Sequence, residues 1–192
     1  MLVRLSHKRL VDLTLVLITL PLWGLLLGLL ALAVLLVDGR PVLFPQPRLG
    51  RRGRHFRILK LRSMTTEADP LLRRPTWLGR HLRQHGLDEL PQLINVLAGD
   101  MSLVGPRPLT ATDFQRLAAG HPEFTDRLNL PPGLTGLAQV CGARGAALTS
   151  AVEVHYARRW TPGLDLAILL RTVWINFVGK RRGKRPLPPG LV

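Results

Sequence analysis

The chain has 192 residues, enough for one domain and a modest core, and its single cysteine, Cys141, excludes an internal disulfide framework. Lys and Arg number 27 against 12 Asp and Glu, a net charge of +15, while 46% of the residues are hydrophobic, which excludes a disordered basic tail. Such a balance calls for an acidic partner: nucleic acid, anionic lipid or a phosphorylated substrate.

Residues Leu13 to Val37 form a run of 25 residues without a charge. As one helix it would extend roughly 37 Å, against about 30 Å for a bilayer core. The run is membrane-competent, which argues against a soluble nucleic-acid binder. It is too long for a signal peptide, and Val37-Asp38-Gly39-Arg40 makes a poor cleavage site. Pro21 removes a backbone hydrogen bond and favours a kink. Arg4, Lys8 and Arg9 precede the run, and Arg40, Arg48, Arg51, Arg52 and Arg54 follow it. Basic residues favour the cytoplasmic side, so two basic flanks suit a re-entrant hairpin. A full span stays open on these signals. Asp12 at the edge reads as an i,i+4 partner of Lys8, with a depth-fixing polar contact as the alternative.

Gly39 to Phe44 reads as a turn into an extended piece, and Pro45 and Pro47 bar it from a central strand. The acid-free stretch Arg48 to Arg62 holds a turn at Gly50 and Gly53, then a strand candidate over His55 to Leu61. The two extended pieces suit a hairpin. This basic cluster reads either as a surface resting on anionic lipid or as a grip on phosphate. Thr65 to Pro75 is a polar loop, and Trp77 to Arg83 a short helix. Over Leu87 to Pro108, Asp88 is placed to cap a helix that carries Leu90, Leu93, Ile94 and Leu97 on one face and stops at Gly99. Met101 to Val104 is a short apolar run. Helices are predicted over Thr110 to Gly120, Leu148 to Trp160 and Leu164 to Val178. Pro131-Pro132-Gly133 and Gly136 exclude a long helix between them. The last helix is apolar with a polybasic end, which reads equally as a membrane-surface helix and as an ordinary buried one.

The sequence holds no P-loop, no HExxH and no paired-cysteine motif, and its six histidines show no metal-ligand spacing. Its best acidic site is Asp88-Glu89. At a helix start, one residue can lie outside the helix and the next inside, so both carboxylates reach one point. Such a pair beside phosphate-binding arginines suits Mg²⁺, which takes one or two carboxylates plus substrate phosphates. On spacing alone, a simple N-cap suffices to explain Asp88 and is the commoner reading. Cys141 reads as a small packing residue.

Several blocks together are more specific than any one alone. They begin with Lys8-Arg9-Leu-Val-Asp12, the proline-broken apolar helix and Phe44-Pro-Gln46-Pro-Arg48-Leu-Gly50. Gly53-Arg-His-Phe56 and Lys60-Leu-Arg62-Ser-Met64 come next, then Leu87-Asp88-Glu89-Leu90-Pro91-Gln92-Leu93 and Asn95-Val-Leu. The last are Gly99-Asp100-Met101-Ser102-Leu-Val-Gly105-Pro106-Arg107-Pro108, Pro132-Gly133-Leu-Thr135-Gly136-Leu-Ala138-Gln139-Val and Asp165-Leu. In this order they resemble the bacterial sugar transferase family, the monotopic phosphoglycosyl transferases that use polyprenyl phosphate. The resemblance runs nearly the whole length.

The resemblance implies a concrete chemistry. Asp88 would attack the sugar-bearing phosphorus of a UDP-sugar, releasing UMP, and Glu89 with Asp88 would hold Mg²⁺. Polyprenyl phosphate would then take the phosphosugar from the aspartyl intermediate, as in ping-pong covalent catalysis. Arg83 and Arg107 match family arginines suited to phosphate, Lys60 and Arg62 match further family positions, and Gly133 and Gln139 help shape the donor pocket. Leu20 and Pro21 mark the break of a re-entrant membrane helix, with both flanks cytoplasmic. The chain departs from the family at Gly86, where Ser or Thr is usual, at Leu137 and Cys141, which bear on sugar specificity, and at Leu20, where the family has Ser.

The fold expected is mainly α with a small β element. It comprises a re-entrant membrane helix over 1–38, a cytoplasmic catalytic domain with interfacial amphipathic helices over 39–180, and a basic, proline-rich tail over 181–192. The chain resembles the minimal catalytic form of the family. Its expected place is the bacterial inner membrane, with the catalytic part on the cytoplasmic face, among membrane lipids and without nucleic acid, self-association being left open. The alternative is a non-catalytic, membrane-bound basic adaptor for anionic lipid or nucleic acid, which leaves the Asp88-Glu89 pair unexplained.

Overall fold

A computed structural model describes residues 2–178; the polybasic stretch after Gly179 and the proline-rich end lie outside them. The fold is mainly helical with two small sheets, as the sequence implied.

Helix α1 (Leu2–Ile18) and helix α2 (Leu20–Val37) are separated at Thr19. Pro21 lies in the first turn of α2, where its missing N–H costs little, so the break falls two residues before the proline and not at it. The Thr19 hydroxyl donates to Leu15 O at 2.6 Å, and the Trp23 indole N–H reaches back to Val16 O at 3.0 Å. Among the described residues α2 is the one helix long and apolar enough to cross a membrane, with a mean hydropathy of 2.6. Leu22, Leu25, Leu29 and Leu36 face outward, so the protein itself leaves most of this helix uncovered.

Strands β1 (Gln46–Leu49) and β2 (His55–Ile58) form an antiparallel hairpin in which Arg48 faces Phe56. The hairpin starts later than the sequence suggested: the 39–44 segment contributes only a bridge, Leu43 to Leu61. In a two-stranded sheet every strand is an edge, so Pro47 is tolerated. Helix α3 (Trp77–His85) is capped by Thr76, whose hydroxyl accepts from Gly79 N, and ends at Gly86 with φ +72°. A 3₁₀ turn (Leu87–Glu89) comes next, then helix α4 (Gln92–Ala98). Asp88 is therefore not the cap of α4: it sits in the tight turn before it, because left-handed Gly86 redirects the chain and Pro91 takes the N-cap position.

Strand β3 (Ser102–Val104) lies parallel to β4 (Gly133–Thr135), with helix α5 (Ala111–Ala118) and a 3₁₀ stretch (Pro122–Asn129) between them. Backbones pass closely here: a Cβ on Gly133 would lie 2.1 Å from Gly105 N, and one on Gly136 would lie 2.2 Å from Gly105 O. Only glycine fits at these positions. Helices α6 (Leu137–Cys141), α7 (Ala146–Arg159) and α8 (Pro162–Val178) complete the fold. Helix α8 buries Asp165, Ile168 and Ile175 while Leu170, Val173, Trp174 and Phe177 stay exposed, so it is half packed and half bare.

The N-terminal helices share the main core. Val16 and Trp23 pack with Ile58, Val96, Val104, Tyr156 and Ile168. Polar ties reinforce this. Asp12 accepts from Ser102 Oγ at 2.6 Å and from Leu103 N at 3.2 Å, so α1 is bonded to β3. The guanidinium of Arg9 donates to Val96 O and Leu97 O at the end of α4. Lys8 pairs with Asp165 at 2.6 Å rather than with Asp12. Asp165 also accepts from Tyr156 Oη at 2.6 Å and Trp160 Nε1 at 2.9 Å, which satisfies a buried carboxylate.

Candidate active site

The segment Lys60-Leu61-Arg62 links two neighbours through its backbone. Phe44 N donates to Lys60 O at 2.8 Å, Arg62 N to Val42 O at 2.8 Å, and Leu61 N to Asp88 O at 2.9 Å. The turn bearing the two carboxylates is therefore stitched to the strand extension bearing Lys60. Asn95 secures the other side: its amide donates to Arg57 O at 2.9 Å and accepts from Leu59 N at 3.0 Å. The Asn95 spacing within the Asp88-Glu89 block thus has a local physical cause: it pins α4 to the end of β2.

These constraints bring Lys60 Nζ within 3.0 Å of Glu89 Oε1, and Arg107 Nη2 within 3.5 Å of the same oxygen. Lys60 and Glu89 are mostly shielded, whereas Arg107 is half exposed. A cavity of about 240 Å³ opens here, lined by Lys60, Glu89, Arg107, Arg48, Gln92 and Gly133 among others. Asp88 is not in its wall. It is 4% exposed, one residue from Glu89.

The cavity is rich in cations. Burial, and next the charge of Arg107, push the Arg48 guanidinium below its ordinary value, with Asp113 opposing; an arginine stays protonated regardless. Asp113 is itself engaged at the start of α5: its backbone N–H donates to Thr110 Oγ1 at 3.0 Å and its carboxylate accepts from Arg116 at 3.1 Å. The arrangement can receive an anion with several oxygens, held by two or three cations beside the carboxylates of Glu89 and Asp113.

No group of three or more His, Cys, Asp or Glu residues gathers among the described residues. The carboxylates in the cavity wall are Glu89 and Asp113, with Asp88 adjoining. Two carboxylates without nitrogen or sulfur ligands suit a hard cation that completes its shell with phosphate oxygens and water, and do not suit a closed zinc site.

Of the residues singled out from the sequence, Lys60, Glu89, Arg107 and Gly133 meet at the cavity, with Asp88 adjoining. The others lie elsewhere. Arg83 is exposed on the last turn of α3. Arg62 is buried and donates to Arg40 O at 2.6 Å, Gly39 O at 2.9 Å and Asp38 O, which ties down the chain leaving α2. Gln139 lies on α6 with a buried Oε1, and Leu20 and Pro21 open α2. Sequence reasoning did not single out Arg48, Gln92 and Asp113 as site residues. For Arg48 the signal was its place in the Phe44–Gly50 block; Asp113 carried none. Cys141 is half-buried, and burial raises its thiol with Arg171 opposing, in keeping with a packing residue.

The profile of a known family, described as bacterial sugar transferase, matches residues 3–179. A Caulobacter vibrioides protein named UDP-glucose:undecaprenyl-phosphate glucose-1-phosphate transferase is 44% identical over 182 residues, covering 87% of this chain and 68% of that one. A Komagataeibacter xylinus undecaprenyl-phosphate glucose phosphotransferase is 40% identical, covering 87% of this chain but only 35% of its own length. A Bacillus subtilis protein described as an uncharacterized sugar transferase is 40% identical, covering 86% of this chain and 85% of its own. The matched region takes in both carboxylates, the cations around them and the helices that hold them, and on that breadth the chain belongs to the bacterial sugar transferase family.

Proposed function

We propose that this chain is a phosphoglycosyl transferase. It moves a sugar phosphate from a UDP-sugar to polyprenyl phosphate and releases UMP, the first step of a surface glycan. The observation that carries this reading is the Glu89 carboxylate held between Lys60 and Arg107, in a cation-lined cavity beside buried Asp88. The C. vibrioides relative is named for UDP-glucose, which makes UDP-glucose the first donor to try.

Lys60 and Arg107 receive the diphosphate of the donor and neutralise its charge, which is most of what phosphoryl transfer asks of a protein. The Asp88 carboxylate attacks the sugar-bearing phosphorus, the bond to the UMP oxygen breaks, and UMP leaves. An oxygen of polyprenyl phosphate then attacks the same phosphorus, and the carboxylate of Asp88 is regenerated. Glu89 and Asp88 would hold Mg²⁺, which supplies further neutralisation of the diphosphate when bound.

The uncovered apolar surface of α2 belongs in lipid, with the catalytic part on the cytoplasmic side of a bacterial inner membrane. The break at Thr19 and the basic flanks support a re-entrant course. The test is UMP release by detergent-solubilised protein with a panel of UDP-sugars and Mg²⁺, with and without polyprenyl phosphate. Turnover that needs the lipid supports the reading. Silence with every donor defeats it and favours the basic adaptor.

A further inference from the structure

Arg107 stands between two prolines, neither of which has an N–H to anchor the segment. Carbonyls do the anchoring instead. Pro106 O accepts from Gly133 N at 2.8 Å, Arg107 O from Arg127 Nη2 at 2.8 Å, and Leu109 O from Leu49 N at 2.9 Å. Two of these donors are backbone amides. The third is a side chain, and it grips the residue whose own side chain approaches Glu89.

Arg127 is held in turn. Its Nη2 also donates to Glu153 Oε1 on α7 at 3.1 Å, and its guanidinium lies 4.4 Å from the centre of the Phe124 ring. The two charged side chains are 6% and 7% exposed. A buried ion pair repays its desolvation only when its hydrogen bonds are complete. This one is incomplete, because Glu153 Oε2 is buried and meets no donor among the described residues. The pair is therefore poorly explained as a device for stability. It is well explained by what it grips.

We propose that Arg127 and Glu153 are positioning residues of the transferase: Glu153 fixes the Arg127 guanidinium, Arg127 clamps the carbonyl of Arg107, and the clamp aims the Arg107 side chain at the Glu89 cavity. The inference rests on the transferase reading for its catalytic consequence, though not for its structural one.

Two readouts test it. The first is hydrogen exchange of the intact, detergent-solubilised protein, followed at the Leu49 and Gly133 amides that hold the flanking carbonyls. Arg127→Ala should speed exchange at both about tenfold or more, because the segment they bind is freed. The second is a double-mutant cycle on UMP release. Alone, Arg127→Ala and Arg107→Ala should each lower kcat/KM, by up to about 100-fold for a misplaced group. Together they should cost no more than Arg107→Ala by itself. Unchanged exchange, or losses that simply multiply, would overturn the proposal. If Arg127→Ala does not fold, Arg127→Lys and Glu153→Gln replace it. Both preserve bulk and should give smaller losses that again vanish in the Arg107→Ala background. Wild-type protein that releases no UMP from any donor would count against the transferase reading alone, and the exchange measurement would still decide whether Arg127 positions Arg107.

Discussion

Lys60 Nζ lies 3.0 Å from Glu89 Oε1, and Arg107 reaches the same oxygen from 3.5 Å. In the free protein the carboxylate thus holds two cations that a phosphate would also seek. Glu89→Gln should weaken both ion pairs and remove the charge proposed to hold Mg²⁺ at once. We expect kcat/KM for the UDP-sugar to fall about 100-fold or more, with half-maximal activity shifted to higher Mg²⁺. A Mg²⁺ titration of UMP release checks this, and a variant with wild-type Mg²⁺ dependence would remove Glu89 from the metal site.

Asp88→Asn keeps the shape of a buried side chain and leaves the Leu61 N–H to Asp88 O hydrogen bond in place. Folding should survive while nucleophilic attack does not. UMP release should drop by about a thousandfold or more, and no sugar-phosphate label should remain on acid-quenched protein. Full turnover by this variant would show that Asp88 is not the nucleophile.

Arg62 presents two distinguishable outcomes. Its guanidinium hydrogen-bonds the carbonyls of Asp38, Gly39 and Arg40, where the chain leaves α2. Arg62→Ala should destabilise the protein by about 2 to 4 kcal/mol, since three hydrogen bonds from a buried charged donor to part-buried carbonyls are lost together. Thermal melting in detergent measures this. A raised KM for the donor at an unchanged melting temperature would instead mark Arg62 as a phosphate ligand.

Glu153 makes stability depend on pH. Burial raises its carboxyl from 4.5 to about 7, with the charge of Arg127 opposing. The folded protein therefore holds a proton that the unfolded chain has released. The stability this adds is complete below about pH 4.5 and is lost as pH rises through about 7, a change on the order of 3 kcal/mol. Lys8, Asp126, Arg127 and Arg158 are the other charged groups on the cavity that Glu153 lines. Melting curves from pH 5 to 8 should slope downward for the wild type and less so for Glu153→Gln; parallel curves would refute the assignment.

The helices were legible where local signals act alone. The ranges read for α3, α5, α7 and α8 fall within about two residues of those observed, since capping threonines, terminal glycines and apolar periodicity are local. The start of α4 was misread because Asp88 has the side chain of a cap, while the left-handed backbone of Gly86 sets the turn before the helix. The hairpin was displaced because basic residues over 48–54 gave no alternation to fix a register. At the site, the carboxylate pair and Arg107 stand out in the sequence, and the resemblance marked Lys60. Arg48 and Gln92 escaped because they reach the cavity only through the pairing of β1 with β2 and the packing of α4. Lys8 illustrates the same limit. Its helix offered Asp12 four residues on, and the fold paired it with Asp165, 157 residues on.

That last separation bears on how the protein is made. Helix α1 emerges from the ribosome long before α8, yet the buried Lys8 meets its carboxylate only once α8 has been synthesised. At about 5 to 20 residues per second, the wait is roughly 8 to 30 s. Asp12 and Arg9 wait less, for partners 90 and 87 residues away. Through that interval Lys8, Arg9 and Asp12 lack their partners in the fold while the apolar helix behind them seeks lipid, so α1 is fully seated only after α8 has been made.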